Sequence, residues 1–300
     1  MLPRFFHTTK EAMMRLALFD KGRLGVVDGD TITDVTDQVA RSSAGPAGAL
    51  QRYIETVSDT AGPVLDPASG RRVSLADVSL EAPLPRPGKI IGAPVNYLDH
   101  KAEMDYPTSI ADLGVFLKAN SSVIGPDQDI VLPYSDVRTD QEGELAVVIG
   151  RTASQVSADE ALDYVFGYTC LLDITVRSGE DRSTRKSFDT FTPIGPWIVT
   201  ADEIEDPDQL DLRCDVAGET RQSTNTEYLI FGVRELVAYA SSVMTLYPGD
   251  VIATGTPAGV GPLSDGDRVV VEIEKIGRLE VGVDGSRATP YESRPGHRRG

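Results

Sequence analysis

Cysteine and histidine are scarce in this sequence. Its 300 residues include two cysteines and three histidines. Two cysteines cannot form a disulfide framework, and Cys170 and Cys214 both lie in apolar, strand-like runs, so we expect buried free thiols. His7 and His297 lie near the ends of the chain, so any histidine chemistry in the folded body falls to His100.

Basic charge and long apolar runs are also lacking. Lysine and arginine number 29 against 46 acidic residues, which gives a formal charge of −17 at pH 7. Such a chain repels a phosphate backbone, so nucleic acid is not an expected partner. No window approaches the roughly 20 apolar residues that cross a bilayer, and the first residues lack a signal-peptide core. We therefore expect a cytoplasmic protein with no membrane partner.

Several common functional motifs are missing. There is no GxGxxG, no P-loop, no GxSxG and no CxxC pair. These absences argue against most nucleotide-binding proteins, serine-triad hydrolases and zinc sites.

The composition changes along the chain and suggests four segments. Short apolar runs separated by turn signals predict a small β meander near the N-terminus, and "GALQRYIETV" predicts a helix after it. The prolines of "APLPRPGKI" favour an extended linker, and the polar C-terminal stretch predicts disorder. The expected organisation is an N-terminal extension at 1–13, a small N-terminal β/α domain at 14–84, the main domain at 85–283 and a disordered tail at 284–300.

The main domain is rich in β-branched runs and poor in helical patterns. Helices are predicted for "GVRELVAYASSVMTL" and for "SADEALDYVF", where Ser157 and Glu160 form a capping-box pattern. Because strands outnumber helices and do not alternate regularly with them, we expect a mostly β (α+β) body rather than a βαβ series.

Three acidic residues are candidate metal ligands. Glu142 and Glu144 are two apart on a predicted strand, so both side chains point to one face, and Asp173 ends an apolar run. Carboxylates near a core repel one another unless a cation lies between them, and oxygen ligands suit Mg²⁺, Mn²⁺ or Ca²⁺. Taken singly, the two glutamates are better explained as the solvent-facing edge of a half-exposed strand, and Asp173 is equally well explained as a cap or turn residue.

Other polar residues form candidate catalytic and substrate-binding groups. In "NYLDHKAEM", His100 and Glu103 lie at i and i+3 of a predicted helical turn, where a carboxylate can orient an imidazole base. Lys118, Arg177 and Lys186 follow apolar runs and are suited to hold an anion. The competing interpretations are that His100 and Glu103 form an incidental pair on a surface helix, and that the three cations only solvate loops.

Six ordered motifs together resemble the fumarylacetoacetate hydrolase family over residues 85–283. They are "NYLDHKAEM", "FLKANSSVIGP", "EGELAVVIG", "VFGYTCLLDITVR", "KSFDTFTPIGPWIVT" and "LYPGDVIATGTPAGVG". The resemblance is to bacterial members such as acylpyruvate hydrolases and 2-hydroxyhepta-2,4-diene-1,7-dioate isomerases. It implies a β-roll catalytic domain after a small leading domain, commonly in a homodimer.

The resemblance also implies roles for individual residues. Mg²⁺ or Mn²⁺, with Ca²⁺ as an alternative, would be held by Glu142, Glu144 and Asp173. His100 and Glu103 would activate water, and Lys186 would complete the catalytic set. Lys118 and Thr256 would contact substrate. The expected substrate-binding set is Lys118, Arg177, Glu180 and Thr256.

The activity implied is hydrolytic cleavage of a C–C bond in a 1,3-dioxo acid of the acylpyruvate or fumarylpyruvate type. Water activated by the His–Glu pair would attack, and a pyruvate enolate would remain on the metal. Isomerisation or decarboxylation of a 2-hydroxy-dienoic or 2-oxo diacid in aromatic catabolism is the alternative, and a non-catalytic binding protein on the same fold is a more remote one. The sequence departs from the common family pattern after Asp173, where Ser178 replaces Asp and Glu180 replaces Gln, which puts the identity of the substrate in question.

Overall fold

The computed structural model describes residues 14–39, 48–59, 64–103 and 107–296. The predicted N-terminal extension, with His7, and the last four residues, with His297, lie outside these ranges. The strands are β1 (Arg15–Phe19), β2 (Arg23–Asp28), β3 (Thr31–Asp34), β4 (Arg71–Ser74), β5 (Leu80–Glu81), β6 (Ile90–Gly92), β7 (Phe116–Lys118), β8 (Val123–Ile124), β9 (Asp129–Val131), β10 (Thr139–Gln141), β11 (Gly143–Ile149), β12 (Val165–Leu172), β13 (Thr175–Val176), β14 (Thr192–Thr200), β15 (Asp211–Val216), β16 (Glu219–Asn225), β17 (Val251–Ala253), β18 (Gly261–Pro262), β19 (Arg268–Ile273) and β20 (Gly277–Asp284). The α-helices are α1 (Ala49–Asp59), α2 (Leu98–Glu103), α3 (Ile110–Leu113), α4 (Arg182–Arg185) and α5 (Val233–Val243).

Strands dominate the architecture, as the sequence predicts. The largest sheet has the order β4-β3-β2-β1-β14-β12-β11-β17-β6-β7, with β5 on β1 and β8 on β14. A second sheet has the order β16-β15-β19-β20-β9, and a short third sheet has the order β13-β10-β18. Strands β11 and β12 are buried along their whole length because both faces of the large sheet are covered there. Glu144 lies on β11, Glu142 directly precedes β11, and Asp173 directly follows β12.

The N-terminal meander is confirmed, and it joins the sheet of the main domain. Strand β1 pairs antiparallel with β14, with Arg15 opposite Val199. Tyr53 of α1 packs edge-on against Phe166 of β12, with ring centroids 6.2 Å apart. The small leading segment and the main domain therefore share one sheet and part of one apolar core.

The helix prediction for "SADEALDYVF" is wrong, whereas those for α1 and α5 are confirmed. Ser157 does bond to Glu160, at 2.7 Å from Oγ to Oε2, but only a single 3₁₀ turn follows at Ala161–Tyr164. The next residues, Val165 and Phe166, are fully buried at the start of β12. Burial of β-branched and aromatic side chains between neighbouring strands outweighs the local capping signal here.

The C-terminal segment also differs from the expected disordered tail over the residues that the structure describes. Residues 284–296 pack back on the body through backbone bonds such as Thr289 N–H to Pro133 O at 3.1 Å. The ring of Tyr291 stands edge-on to that of Tyr134, with centroids 5.0 Å apart. A tail rich in proline, glycine and arginine is thus ordered by contacts with distant residues, which composition does not reveal.

Both cysteines are free and buried, as predicted. Burial raises the pKa of the Cys170 thiol far above its ordinary value and that of Cys214 to about 12. Neither thiol is therefore suited to act as a nucleophile. Across the described ranges, no helix has the length and apolar character needed to cross a membrane.

Candidate metal centre and its pocket

Three buried carboxylates meet where β11 and β12 run side by side. Antiparallel pairing places Glu144 opposite Leu171, and Asp173 follows β12 directly. The Asp173 N–H donates to the carbonyl of Glu142 at 2.8 Å, which extends the ladder beyond the strand end. As a result, one carboxylate oxygen from each of Glu142, Glu144 and Asp173 lies within 4.8 Å of the others. The structure brings together the three residues that the sequence predicts as metal ligands.

Two lysines and an arginine surround this carboxylate cluster. Lys186, which follows α4, donates from Nζ to Glu142 at 2.7 Å and to Asp173 at 2.6 Å. Lys118, at the end of β7, forms a short ion pair with the other oxygen of Asp173. Arg177 donates from Nη2 to the second oxygen of Glu142 at 2.8 Å. Glu142 and Asp173 therefore have a cation on each of their oxygens.

Glu144 differs from its neighbours because no described cation bonds to it. Its Oε2 accepts the Gly255 N–H at 2.7 Å. Gly255 has φ +96°, and a Cβ there would lie 2.7 Å from the Cβ of Asn96, so only glycine presents this N–H without strain. Burial, with the charges of Asp173 and Glu142, holds the pKa of Glu144 well above its ordinary value.

The pKa values of the other buried charged groups shift according to their partners. Burial acts to raise the pKa of Glu142, but Lys186, Arg177 and His100 outweigh it and lower that pKa. Asp173 and Glu142 raise the pKa of Lys186 against the effect of its burial. For Lys118, burial is the larger effect and lowers the pKa despite the Asp173 partner. Lys186 is thus a firmly protonated donor.

The donor set fits a hard divalent cation. It offers oxygen ligands from three buried carboxylates, and burial with two acidic neighbours disfavours the charged form of one of them, Glu144. A cation between the three would relieve this repulsion, and carboxylate oxygens are preferred by Mg²⁺ and Mn²⁺ rather than by thiophilic metals. Divalent metal binding is therefore the chemistry that this cluster supports.

The predicted His–Glu pair forms on α2. His100 Nδ1 lies 3.1 Å from Glu103 Oε2, and the other oxygen of Glu103 accepts the Gly259 N–H at 2.9 Å. Glu103 is thereby fixed between the helix and the loop after β17. If Nδ1 carries the proton toward Glu103, then Nε2 is left with a lone pair and can act as a base.

The carboxylates line one pocket of about 370 Å³, including its open mouth. Of the residues predicted from sequence, seven lie in its wall: His100, Glu142, Glu144, Asp173, Arg177, Lys186 and Thr256. Lys118 lies behind Asp173, and Glu103 lies behind His100. The hydroxyl of Thr256 donates to Gly143 O at 3.0 Å and accepts from Gln222 at 2.7 Å, so it is already bonded within the protein.

Sequence reasoning missed several residues of the pocket wall. Phe116 and residues 93–95 form its apolar part, and Arg182 and Arg185 of α4 add two cations. The signal for the arginines was present in "SGEDRSTRK", where they lie three apart, which is helical spacing. The apolar residues gave no signal, because strand ends and loops from distant parts of the chain form that part of the wall.

Glu180 does not lie in the pocket wall and instead contacts the C-terminal segment. Tyr291 Oη donates to Glu180 Oε1 at 2.5 Å, and Arg294 Nη2 lies 3.1 Å from the same oxygen. Partial burial acts to raise the pKa of Glu180, but the hydroxyls of Ser178 and Tyr291, with Arg294, lower it. Glu180 thus ties the loop before α4 to the C-terminal segment.

Removal of the Tyr291 hydroxyl should loosen this loop. We expect Tyr291→Phe to raise amide hydrogen exchange in residues 177–181 about tenfold, because a hydrogen bond to a charged group contributes about 1.5 kcal/mol at a partly exposed site. Hydrogen exchange measured by mass spectrometry reports the change. Tyr228→Phe, at an exposed tyrosine, is the matched control and should leave this loop unaffected. Equal exchange in both variants would show that the Glu180 contact does not hold the loop.

Comparisons with known proteins show which proteins this chain resembles. Residues 89–284 match the family model described as fumarylacetoacetate (FAA) hydrolase C-terminal. The maleylpyruvate hydrolase of Aquipseudomonas alcaligenes is 44% identical over 286 residues, which cover 90% of this chain and 99% of that protein. The crystal structure of maleylpyruvate hydrolase from Sphingobium sp. SYK-6 in complex with manganese(II) ion and pyruvate is 43% identical, has a TM-score of 0.81 and covers 92% of this chain and all of that one.

A relative with another activity is also similar. The 2-hydroxyhepta-2,4-diene-1,7-dioate isomerase of Mycobacterium marinum is 34% identical, has a TM-score of 0.73 and aligns with 91% of this chain and 99% of that one. The family model covers residues 89–284, and these structural matches, which cover 91–92% of this chain, confirm the predicted β-roll fold. The chain belongs to the fumarylacetoacetate hydrolase family.

Proposed function

We propose that this protein is a divalent-metal-dependent hydrolase that cleaves the C–C bond between the acyl group and the pyruvate unit of an acylpyruvate. The observation that carries the proposal is the presence, in one pocket, of the buried carboxylates and the oriented His100. The identity to maleylpyruvate hydrolases supports it.

The proposed roles follow from the contacts of each side chain. When bound by Glu142, Glu144 and Asp173, a divalent ion would supply positive charge to the oxygens of the 2-oxo acid. His100, held by Glu103, takes a proton from water as the water oxygen attacks the acyl carbonyl carbon. The hydroxyl then remains with the released carboxylic acid, and the broken C–C bond leaves its electron pair on the pyruvate methylene carbon, which finally takes the proton that His100 removed from water.

Lys186 is assigned to charge stabilisation rather than to base chemistry. Its Nζ lies among Glu142, Asp173 and Thr175, and its raised pKa keeps it protonated. A fixed ammonium group stabilises negative charge as it develops on substrate oxygens. Lys118 and Arg177 hold the carboxylates in place, and Arg177 also bonds to the buried Asp140 at 2.7 Å.

Isomerisation or decarboxylation of a related diacid is the second candidate function, which the isomerase of Mycobacterium marinum favours. Those reactions need the metal ligands but no attacking water. The oriented His100–Glu103 pair has its clearest use in hydrolysis, so we place hydrolysis first.

The metal and the quaternary structure are further parts of the proposal. Manganese is the ion in the maleylpyruvate hydrolase complex, and Mn²⁺ or Mg²⁺ is proposed for this chain. A homodimer, as the family resemblance implies, is also proposed.

A direct assay tests the proposed function. We expect the protein loaded with Mn²⁺ or Mg²⁺ to release pyruvate from acylpyruvates, with activity lost in EDTA and restored by either ion. Pyruvate release is followed by coupling to lactate dehydrogenase, with oxaloacetate and dienoic diacids assayed in parallel. Turnover of the diacids alone, without acylpyruvate cleavage, would favour the second candidate.

A further inference from the structure

A buried glutamine of the second sheet bonds to the backbone between two of the carboxylates. Gln222 of β16 is 1% exposed, and its Oε1 accepts the Gly143 N–H at 2.9 Å. Gly143 separates Glu142 from Glu144 in the sequence. A Cβ at Gly143 would lie 3.2 Å from Gln222 Oε1, so glycine at this position gives the glutamine room to approach. The edge strand of the second sheet thus reaches the carboxylate cluster with a side chain.

Side chains take the place of a neighbouring strand at the start of β11. Strand β17 pairs with β11 at residues 146–148, and Gly143 lies beyond that pairing. Its N–H donates to Gln222, and its carbonyl accepts the hydroxyl of Thr256 at 3.0 Å. A buried peptide group without a partner costs stability, and here the two side chains supply both partners. These bonds fix the peptide that joins Glu142 to Glu144.

The same amide also holds the loop that follows β17, which spans residues 254–261 and which we call the glycine loop. One Nε2 hydrogen of Gln222 goes to Thr256 Oγ1 at 2.7 Å, and the other goes to Pro257 O at 2.9 Å. A flipped amide would set its oxygen against the Pro257 carbonyl and its nitrogen against the Gly143 N–H, so these contacts fix the orientation of the side chain.

The two ends of the glycine loop are held by different glutamines. Gln141 holds the far end through bonds of 3.0 and 3.1 Å to backbone groups. Gln222 holds the near end, next to Gly255, whose N–H donates to Glu144 Oε2 at 2.7 Å. Gln222 therefore supports the carboxylate cluster from two directions, through the backbone of β11 and through the loop that bonds to Glu144.

We propose that Gln222 is a positioning residue of the carboxylate cluster, which sets the affinity for the divalent ion without touching the ion. This inference rests on the proposed function, in which Glu142, Glu144 and Asp173 bind the metal. A neutral amide adds no charge to the cluster, so its effect comes from holding the ligand oxygens at positions that suit an ion. Residues that orient metal ligands in this way tune metal affinity in other proteins.

Calorimetric titration of the whole chain with Mn²⁺ tests this assignment. We expect Gln222→Met to raise the Mn²⁺ Kd about tenfold to a hundredfold, which is typical when a residue that orients metal ligands is lost. Methionine is unbranched and fills the same space, but it cannot bond to the Gly143 N–H or to Thr256 and Pro257 in the same way. The electron paramagnetic resonance spectrum of bound Mn²⁺ should also change, because it reports the arrangement of the ligands rather than the stability of the fold.

Another glutamine provides the matched control. Gln38 bonds to the backbone in the same manner, from Nε2 to Asp66 O at 2.9 Å and from the Asp66 N–H to Oε1 at 2.7 Å, but it lies in the N-terminal segment. Gln38→Met should lower the Tm in EDTA and leave the Mn²⁺ Kd and the spectrum as in the wild type. If Gln222→Met does not fold, Gln222→Asn replaces it. Its amide is one methylene too short to bond to both Gly143 and Pro257, so it should raise the Kd at least about threefold.

The outcomes separate this inference from the proposed function. A Kd for Gln222→Met within about twofold of the wild type, or an equal increase in Gln38→Met, would overturn the role of Gln222. If the wild type binds Mn²⁺ but cleaves no acylpyruvate, the proposed hydrolysis fails, and the comparison of Kd values still decides. If the wild type binds no Mn²⁺, amide hydrogen exchange of the metal-free proteins decides instead. Faster exchange at Gly143 and Gly255 in Gln222→Met supports the positioning role, and equal exchange rejects it.

Discussion

Replacing Glu144 with glutamine will abolish divalent-metal binding and lower kcat/KM at least about 10³-fold while leaving the fold intact. The expected loss corresponds to several kcal/mol of electrostatic stabilisation that depends on the ion. The fold should survive because glutamine has the shape of a protonated glutamate, and the raised pKa of Glu144 shows that burial and its two acidic neighbours already disfavour its charge. The glutamine oxygen can still accept the Gly255 N–H.

Thermal unfolding with and without metal tests whether Glu144→Gln removes metal binding and leaves the fold intact. In EDTA the variant should unfold at the same temperature as the wild type or above it, because a neutral side chain removes repulsion from Asp173 and Glu142. Added Mn²⁺ should raise the Tm of the wild type only, since a ligand stabilises just the form that binds it. Glu205→Gln, at an exposed glutamate, is the matched control. An equal rise in Tm for Glu144→Gln and the wild type would contradict the metal assignment.

The carboxylate cluster was predictable because its signals are local and regular. Alternation along a strand puts Glu142 and Glu144 on one face, and Asp173 at the end of a buried strand needs a charged partner. The resemblance to a known family then indicated that these residues act together at one site, although nearly 30 residues separate Glu144 from Asp173. In the structure, antiparallel pairing of β11 with β12 brings Glu144 and Asp173 close together.

Residues whose roles depend on packing between distant segments were not predictable in the same way. Glu180 looked like a substrate contact because it lies between Asp173 and Lys186 in sequence, yet its partners Tyr291 and Arg294 come from the segment expected to be disordered. The capping pattern at Ser157 is likewise genuine but is followed by a strand. Local patterns therefore gave the chemistry of the carboxylate cluster, whereas the pocket wall required the tertiary structure.

Replacing His100 with alanine will lower the rate of acylpyruvate hydrolysis about 10²–10⁴-fold while Mn²⁺ binding is retained. This range is typical for loss of a positioned general base. His100 is not a member of the carboxylate cluster, and its ring is fixed through Glu103 rather than through a metal ligand, so the ion should bind as before. Glu103→Gln should also lower hydrolysis, because its single amide oxygen can accept only one of the two donors: if it keeps the Gly259 N–H, the amide nitrogen faces Nδ1 and donates to it, which leaves the imidazole proton on Nε2.

The same variant distinguishes hydrolysis from the second candidate function. Decarboxylation of oxaloacetate needs no attacking water, so any such activity of the wild type should persist in good part in His100→Ala, while pyruvate release from an acylpyruvate collapses. Lys101→Ala, on the same helix and outside the pocket wall, controls for damage to α2. Hydrolysis within about tenfold of the wild type, with Mn²⁺ binding unchanged, would show that another group activates the water. Because the buried carboxylates are common to both reactions, only a residue such as His100 that acts on water, and not on the metal, can separate them.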